Sequence, residues 1–305
     1  MNRTAPGSGA AVAATLLFAL AGLGAALPPS TAEAQETVAA GRSIAPDASI
    51  KVWNGGGELR VEGWDADSLA VTGEVAGAAG GRFFLRAEGD AAKLGVEGDQ
   101  AEVRGRLVVR VPRGATVWIR TTSADVVVRE LTGRVDVHTV AGGVDVRGRP
   151  ETLYAESMSG EVELDLEGRI VRARSGTGGI RFRGSADDLT LDAVDGRLRV
   201  AATGLRRGRF TTVGGAIDFT GGVRRAGALT FETHAGDVRL ELPAGLAADF
   251  RLSTFEGRID AGYDGAPETD DGPGRRSVRF ETGDGGSEVE VRSFSGSVTV
   301  VPGGR

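Results

Sequence analysis

Two carboxylates stand at a spacing that could support acid–base chemistry. Asp145 and Glu163 occupy the same position in two successive repeats of a short sequence pattern. If the repeats stack, these side chains lie roughly 5 Å apart, the separation of the two carboxyl groups in a retaining glycosidase. The same column continues with Arg181 and Arg199. A ladder of ion pairs therefore explains these residues without catalysis, and we predict that the protein is not an enzyme.

A second group combines aromatic and charged side chains, which is what a sugar-binding or protein-binding surface needs. Its members stand six and four residues before Ala124 and before the next three repeat glycines: Trp118, Arg120, Asp136, His138, Tyr154, Glu156, Arg172 and Arg174. On stacked repeats, Trp118 and Tyr154 lie two strands apart, roughly 9.6 Å. We predict a binding surface here for a glycan or an envelope protein. The alternative is that residues 76–106 fold over Trp118 and bury it.

The composition argues against several other functions. The chain has no cysteine, which removes disulfides, thiolate metal ligands and thiol nucleophiles. Its two histidines, His138 and His234, fall in different columns of the repeat, so we predict neither a shared metal site nor a cofactor. The formal net charge is -6 and no run of basic residues forms a stripe, so we expect no nucleic-acid partner.

The elements that would position these residues come from a repeat that extends from Val117 to Val300. Each copy has alternating apolar residues, a Ser or Thr (Ala193 in one copy), two further residues, a glycine, and a second alternating run. The period of 2 predicts two short strands joined by a tight turn. In that turn we expect the hydroxyl to bond to the backbone and the glycine to adopt a positive φ. The repeat glycines are Gly142, Gly160, Gly178, Gly196, Gly215, Gly236, Gly257 and Gly296, and Ala124 takes that place once.

The repeat predicts an all-β, single-stranded β-helix (β-solenoid), right-handed, with about 18–21 residues and two main short strands per turn. The alternative is an antiparallel meander whose strands pair within a unit. We favour the solenoid because identical residue types recur in identical columns, and only the solenoid stacks each column on itself. Val144, Val162 and Ile180 would then form a row, and Arg239 would lie between two aspartates, Asp218 and Asp260.

The N-terminus has the order of a secretory signal. Arg3 precedes an apolar run from 10 to 27, and Ala32-Glu33-Ala34 offers a small-x-small cleavage site. An uncleaved membrane anchor is the alternative. We therefore predict a secreted, periplasmic or cell-envelope protein with no integral membrane segment after cleavage. The predicted organisation is a signal peptide at 1–34, a linker at 35–46, an irregular N-terminal β cap with the first turns at 47–112, and β-solenoid repeats at 113–305 with a flexible loop at 262–277.

Three features of the sequence resemble bacterial adhesin-like domains of unknown function. They are the glycine phrases with a preceding Ser or Thr, Val-Pro-Arg-Gly at 111–114, and Gly-Asp-Gly-Gly at 283–286 before the last strands. The likeness covers roughly residues 48–302 and implies a secreted or envelope-associated β-helix, commonly right-handed, without established catalytic residues. It favours a non-catalytic adhesin-like binding or structural module. The alternatives are a polysaccharide-active enzyme that uses Asp145 and Glu163, and an envelope-stress-associated structural protein without a ligand.

Overall fold

The computed structural model describes residues 35–77, 81–98, 103–263, 266–267 and 274–303. This part of the chain is all-β as predicted, with 70% strand and no helix. It therefore holds no helix of the length and apolarity that crossing a membrane requires. The predicted signal peptide lies outside the described residues.

The strands in chain order are β1 (Gln35–Ser43), β2 (Ser49–Asn54), β3 (Gly56–Trp64), β4 (Ser68–Ala76), β5 (Arg82–Glu88), β6 (Ala91–Glu97), β7 (Arg104–Pro112), β8 (Thr116–Thr121), β9 (Asp125–Arg129), β10 (Arg134–Thr139), β11 (Val144–Gly148), β12 (Thr152–Ser157), β13 (Val162–Ser175), β14 (Ile180–Ala193), β15 (Leu198–Thr212), β16 (Ile217–Thr233), β17 (Val238–Pro243), β18 (Ala248–Thr254), β19 (Ile259–Ala261), β20 (Arg276–Thr282), β21 (Glu288–Ser293) and β22 (Val298–Gly303).

The strands pair in two ladders, each 13 strands long. Ladder A runs β5-β6-β2-β8-β10-β12-β13-β14-β15-β16-β21-β18-β20. Ladder B runs β1-β4-β7-β3-β9-β11-β13-β14-β15-β16-β17-β22-β19. Because β13 to β16 take part in both ladders, the sheet curls back on itself and is nearly closed.

Equivalent residues of successive repeats lie directly opposite one another. Val144 pairs with Val162, and Val162 pairs with Ile180, in parallel strands. The predicted row of these three side chains is therefore present, and all three are buried. Pairing within a unit, as in the antiparallel meander, is wrong for these repeats because each strand bonds to the next repeat instead.

The stacking order departs from chain order at both ends. Strands β2 and β3 lie between β6/β7 and β8/β9. Strands β21 and β22 likewise lie between β16/β17 and β18/β19. The predicted place of Arg239 between Asp218 and Asp260 is therefore wrong. Arg239 pairs with Asp218 on one side but with Thr299 on the other, because the last repeat inserts there.

The predicted linker at 35–46 is also corrected by the structure. Residues Gln35–Ser43 form β1, which pairs antiparallel with β4 at the edge of ladder B. Only Val38 of this strand is buried, because an edge strand covers the sheet with one face and leaves the rest in water. That sparse apolar content is why its sequence resembles a linker. At the other end, β20 begins at Arg276, inside the predicted loop at 262–277.

The turns between the two strands of a repeat pack closely at the glycine, and most of them use the hydroxyl, although the Ser175 and Ser293 hydroxyls have no hydrogen-bond partner among the described residues. Ser157 Oγ accepts a hydrogen bond from the Gly160 amide at 2.9 Å and donates one to the Gly142 carbonyl of the preceding repeat at 3.1 Å. None of the repeat glycines has a positive φ, so that expectation is wrong. They are glycines because the turns stack closely: a Cβ on Gly160 would overlap the carbonyl oxygen of Gly142, and a Cβ on Gly178 that of Gly160.

Candidate functional site

All eight residues of the predicted binding surface lie on the outer face of ladder A, on four neighbouring strands. They form two adjacent columns in register. The first column is Trp118, Asp136, Tyr154 and Arg172, and the second is Arg120, His138, Glu156 and Arg174. Their alternation with the buried apolar residues of β8, β10, β12 and β13 turns all of them away from the core.

A cavity of about 410 Å³ opens among these columns. Its lining is Asp136, His138, Tyr154, Ala155, Glu156, Arg172, Arg174, Thr190 and Asp192. Thr190 and Asp192 were missed by the sequence analysis, although they are the next members of the same two columns, opposite Arg172 and Arg174 on β14. Trp118 and Arg120 lie one strand beyond the cavity, beside Asp136 and His138.

Tyr154 is the aromatic centre of this cavity and is held between two arginines. The guanidinium carbon of Arg134 lies 4.8 Å from the ring centroid, and that of Arg172 lies 5.5 Å from it. Arg172 Nη1 also donates to the phenolic oxygen at 3.4 Å. These cation–π contacts fix the half-buried ring in one orientation. A fixed aromatic ring beside polar groups is a platform on which the apolar face of a sugar can pack.

His138 lies between two of the three carboxylates that line the cavity. Its Nε2 lies 2.8 Å from Asp136 Oδ1, and its Nδ1 lies 3.1 Å from Glu156 Oε2. Ionised carboxylates only accept hydrogen bonds, so any ring nitrogen of His138 that carries a proton donates to the carboxylate beside it. Arg120 Nη1 donates to Asp136 at 3.0 Å, and Asp136 is buried. The result is a fixed network whose remaining oxygen lone pairs can accept hydrogen bonds from a hydroxylated ligand.

Trp118 is half-buried, and its direct neighbour is β2 rather than a strand of the 76–106 segment. Lys51 of β2 stands opposite Trp118, with Nζ 5.7 Å from the ring centroid. On the other side Trp118 is opposite Asp136. The indole therefore lies on the outer face between a cation and the edge of the cavity.

Asp145 and Glu163 lie opposite each other on β11 and β13, as the repeat predicts. Asp145 accepts from Arg129 Nη2 at 2.5 Å and from Arg147 Nε at 3.3 Å. Glu163 pairs with Arg181 of the next repeat. Both carboxylates are thus engaged by arginines, which favours the ion-pair ladder over catalysis.

A ridge of exposed apolar side chains follows the turns along the sheet. It occupies the position after the turn hydroxyl, or after Ala193 where the hydroxyl is absent, in most of the repeats. Its members have relative exposures of 43% to 61% and are Val140, Met158, Val194, Val213, Phe255 and Phe294. His234 is in the same position and stacks on Phe294 with centroids 4.8 Å apart, and Phe294 stacks on Phe255 at 5.2 Å. In the sequence, the ridge corresponds to one position of the turn that recurs between repeats, and the sequence analysis did not select it.

Within the described ranges, no three His, Asp or Glu residues are arranged to hold a metal ion.

Comparisons with known proteins give only distant likenesses. No family model and no curated protein matches the chain. A candidate adhesin from Bacteroides fragilis is 11% identical, with a TM-score of 0.44 over 87% of this chain and 97% of the other. A candidate adhesin from Parabacteroides merdae is 9% identical, with a TM-score of 0.41 over 87% and 96%. A candidate lipid-binding protein from Parabacteroides distasonis is 11% identical, with a TM-score of 0.40 over 88% and 96%. Because these TM-scores are below 0.5, the likenesses do not establish the family or the function of this chain.

Proposed function

We propose that the chain is a secreted or envelope-associated, non-catalytic binding module of the adhesin-like kind, wound as a single-stranded β-solenoid. Support for the winding comes from the in-register parallel pairing of Val144, Val162 and Ile180. A right-handed coil fits the general preference for right-handed crossovers between parallel strands. Support for export comes from the N-terminal sequence, with its apolar run and its small-x-small site before Gln35.

The ligand of this module is a glycan that binds on the outer face of ladder A. The observation that carries this proposal is the cavity of about 410 Å³ around Tyr154. Its aromatic platform is held by Arg134 and Arg172, and the linked side chains of His138, Asp136 and Glu156 surround it. Sugars offer both an apolar ring face and many hydroxyls, so they match a cavity that presents one ring and several fixed acceptors.

The polar groups of the cavity favour binding over catalysis. Both nitrogens of His138 already have carboxylate partners, and Arg174 pairs with Asp192 at 3.4 Å. A general base needs a free position within hydrogen-bond reach of the proton that it removes. Here the titratable groups satisfy one another and act as a preformed frame for a polar ligand.

The test is a glycan array probed with the wild type and with Tyr154→Ala. We expect the variant to keep the far-ultraviolet circular dichroism of the wild type, because the ring lies outside the core, and to lose at least about tenfold in retention, the effect of removing a central aromatic contact. Phe255→Ala is the matched control, since it removes an exposed aromatic ring from the turn ridge and should bind normally. Equal binding by Tyr154→Ala and wild type would refute a ligand at this cavity and favour a structural protein without one.

A further inference from the structure

The two lysines of the chain are neighbours on the outer face of ladder A. All the other residues among the 36 lysines and arginines of the chain are arginines. Lys51 of β2 lies directly opposite Lys93 of β6, and Lys93 lies directly opposite Arg86 of β5. All three side chains are exposed. Adjacent strands are about 4.8 Å apart, so three positive charges stand side by side across three strands.

We call this row the cationic row (Arg86, Lys93 and Lys51). Among the residues that the structure describes, none of the three is within ion-pair distance of a carboxylate, and Glu88, two positions after Arg86, makes no ion pair with it. Like charges directly opposite each other destabilise a sheet. A bound anion would relieve that repulsion.

The rest of ladder A shows that this arrangement is unusual for the protein. On strands β8 to β14 of ladder A, neighbouring charged side chains form opposite pairs, as Arg120 does with Asp136 and Arg174 with Asp192. The cationic row lies on the same face, only one strand from Arg120. Like charges also stand opposite each other at the far end of ladder A, at Arg251 of β18 and Arg279 of β20, but there Arg251 is paired with Glu288.

Aromatic rings flank the cationic row. Trp53 and Phe84 have ring centroids 6.4 Å apart across Gly95, where a Cβ would lie 2.9 Å from the Cβ of Trp53. The Arg86 guanidinium lies 5.9 Å from the Phe84 ring centroid, and Lys51 lies 5.7 Å from that of Trp118. The glycine leaves room for two half-buried rings to form one platform beside three cations. This combination suits a ligand with both apolar faces and negative groups.

We propose that the cationic row binds the carboxylate or sulfate groups of an acidic glycan, whose sugar rings pack on Trp53, Phe84 and Trp118. The proposal rests on the proposed function, because it extends the same ligand from the Tyr154 cavity across seven neighbouring strands, β5 to β13, a span of roughly 29 Å. A glycan suits the whole face better than a nucleic acid does. Beyond Trp118 the face presents carboxylates, which accept from sugar hydroxyls but repel a uniformly charged phosphodiester chain.

The first experiment compares acidic probes with neutral ones of the same backbone. Binding of hexagalacturonate and of dextran sulfate oligosaccharides is measured by calorimetry beside methyl-esterified hexagalacturonate and dextran. The double variant Lys51→Gln, Lys93→Gln should bind the acidic probes about five-fold more weakly at low salt, as expected for two exposed charge contacts, and the neutral probes unchanged. The difference should shrink at about 500 mM salt.

The outcomes separate this proposal from the proposed function. If the double variant binds acidic probes like the wild type, or if the wild type prefers neither acidic probe to its neutral counterpart, the cationic row is not a glycan subsite. The Tyr154→Ala variant tests the cavity independently of the cationic row, because it should weaken the binding of acidic and neutral probes alike. Loss in Tyr154→Ala without loss in the lysine variant would keep the cavity and remove the cationic row.

A second experiment uses the rarity of lysine. An amine-acylating reagent can modify only Lys51, Lys93 and the N-terminal amine in this chain. Mass spectrometry after limited acylation should show both lysines protected several-fold by saturating hexagalacturonate or dextran sulfate, with the N-terminal amine unchanged as the internal control. Unprotected lysines would overturn the proposal. Protection only by phosphatidylglycerol vesicles or by a single-stranded oligonucleotide would also overturn it, in favour of a lipid or nucleic-acid ligand.

Discussion

Replacing one repeat glycine tests the close stacking on which both surfaces depend. In Gly178→Ala the new Cβ would overlap the carbonyl oxygen of Gly160 and lie 3.0 Å from that of Ser159. Both oxygens belong to the backbone of the turn in the preceding repeat. The two turns are also tied together, because the Val162 amide donates to the Gly179 carbonyl at 3.0 Å. The overlap can therefore be relieved only by lengthening hydrogen bonds between repeats.

The expected loss is the difference between two effects. Forcing a methyl group into a well-packed site costs about 1–3 kcal/mol. Alanine also restricts the unfolded chain, which returns about 0.4–1 kcal/mol. We expect Gly178→Ala to lower the free energy of unfolding by about 2 kcal/mol, because the obstacle is a paired backbone and not a flexible side chain. Urea unfolding followed by circular dichroism measures this change.

The matched control is Gly245→Ala. Apart from Gly245 itself and its two chain neighbours, no described heavy atom lies within 4 Å of a Cβ added there, and its φ is not positive. This variant should be as stable as the wild type or more stable by up to about 1 kcal/mol. If Gly178→Ala behaves like this control, successive turns do not approach each other as described, and the register that assembles the Tyr154 cavity and the cationic row would lose its basis.

Two further predictions concern pH and catalysis. Burial raises the pKa of Tyr263 from 10.0 to about 12, and its phenol donates to the carbonyls of Leu242 and Pro243 at 3.0 Å. The folded state therefore holds the phenolic proton more tightly than the unfolded state does. This proton contributes its full stabilisation below pH 10, the ordinary pKa of tyrosine. The contribution is lost as the pH rises from there through the folded-state pKa, by at most about 2.7 kcal/mol. Urea midpoints between pH 9 and 12 should fall less in Tyr263→Phe than in the wild type, and equal slopes would contradict the assignment. Incubation with acidic polysaccharides should release no new reducing ends, because Arg181 engages Glu163; release that disappears in Glu163→Gln would establish the enzyme alternative.

The repeat could be predicted from the sequence because its inward columns are constrained by packing. Val144, Val162 and Ile180 must fill the same space in successive repeats, so their types recur and the pattern is visible. The outward columns follow from the same count, which is why eight surface residues could be assigned to four neighbouring strands. The reason why a glycine stands in the turn could not be deduced from the sequence. Its identity signals that a side chain is not tolerated, but a positive φ and a close neighbour give the same residue.

The stacking order at the two ends could not be predicted from the pattern alone. Strands β2/β3 and β21/β22 insert between strand pairs that are consecutive in the chain. The sequence of β21/β22 follows the phrase, and that of β2/β3 has Asn54 in place of the hydroxyl. The only cue is the long interval between Gly257 and Gly296, which leaves enough chain for a crossing. Lys51 and Lys93 illustrate the consequence, since residues far apart in sequence meet only because β2 inserts beside β6.

The repeat divides its residues into two classes with different constraints. An inward substitution changes the volume of the core, whereas an outward one changes only what the sheet presents to water. Outward columns that alternate in charge, such as Glu163 with Arg181, contribute to the sheet itself. Where like charges meet, as at Lys51 and Lys93, the sheet is weakened unless neighbouring side chains neutralise them, as Arg129 and Arg181 do for Asp145 and Glu163. In a stacked-repeat protein, binding sites should therefore be sought where like charges meet and have no partner of opposite charge on the neighbouring strands.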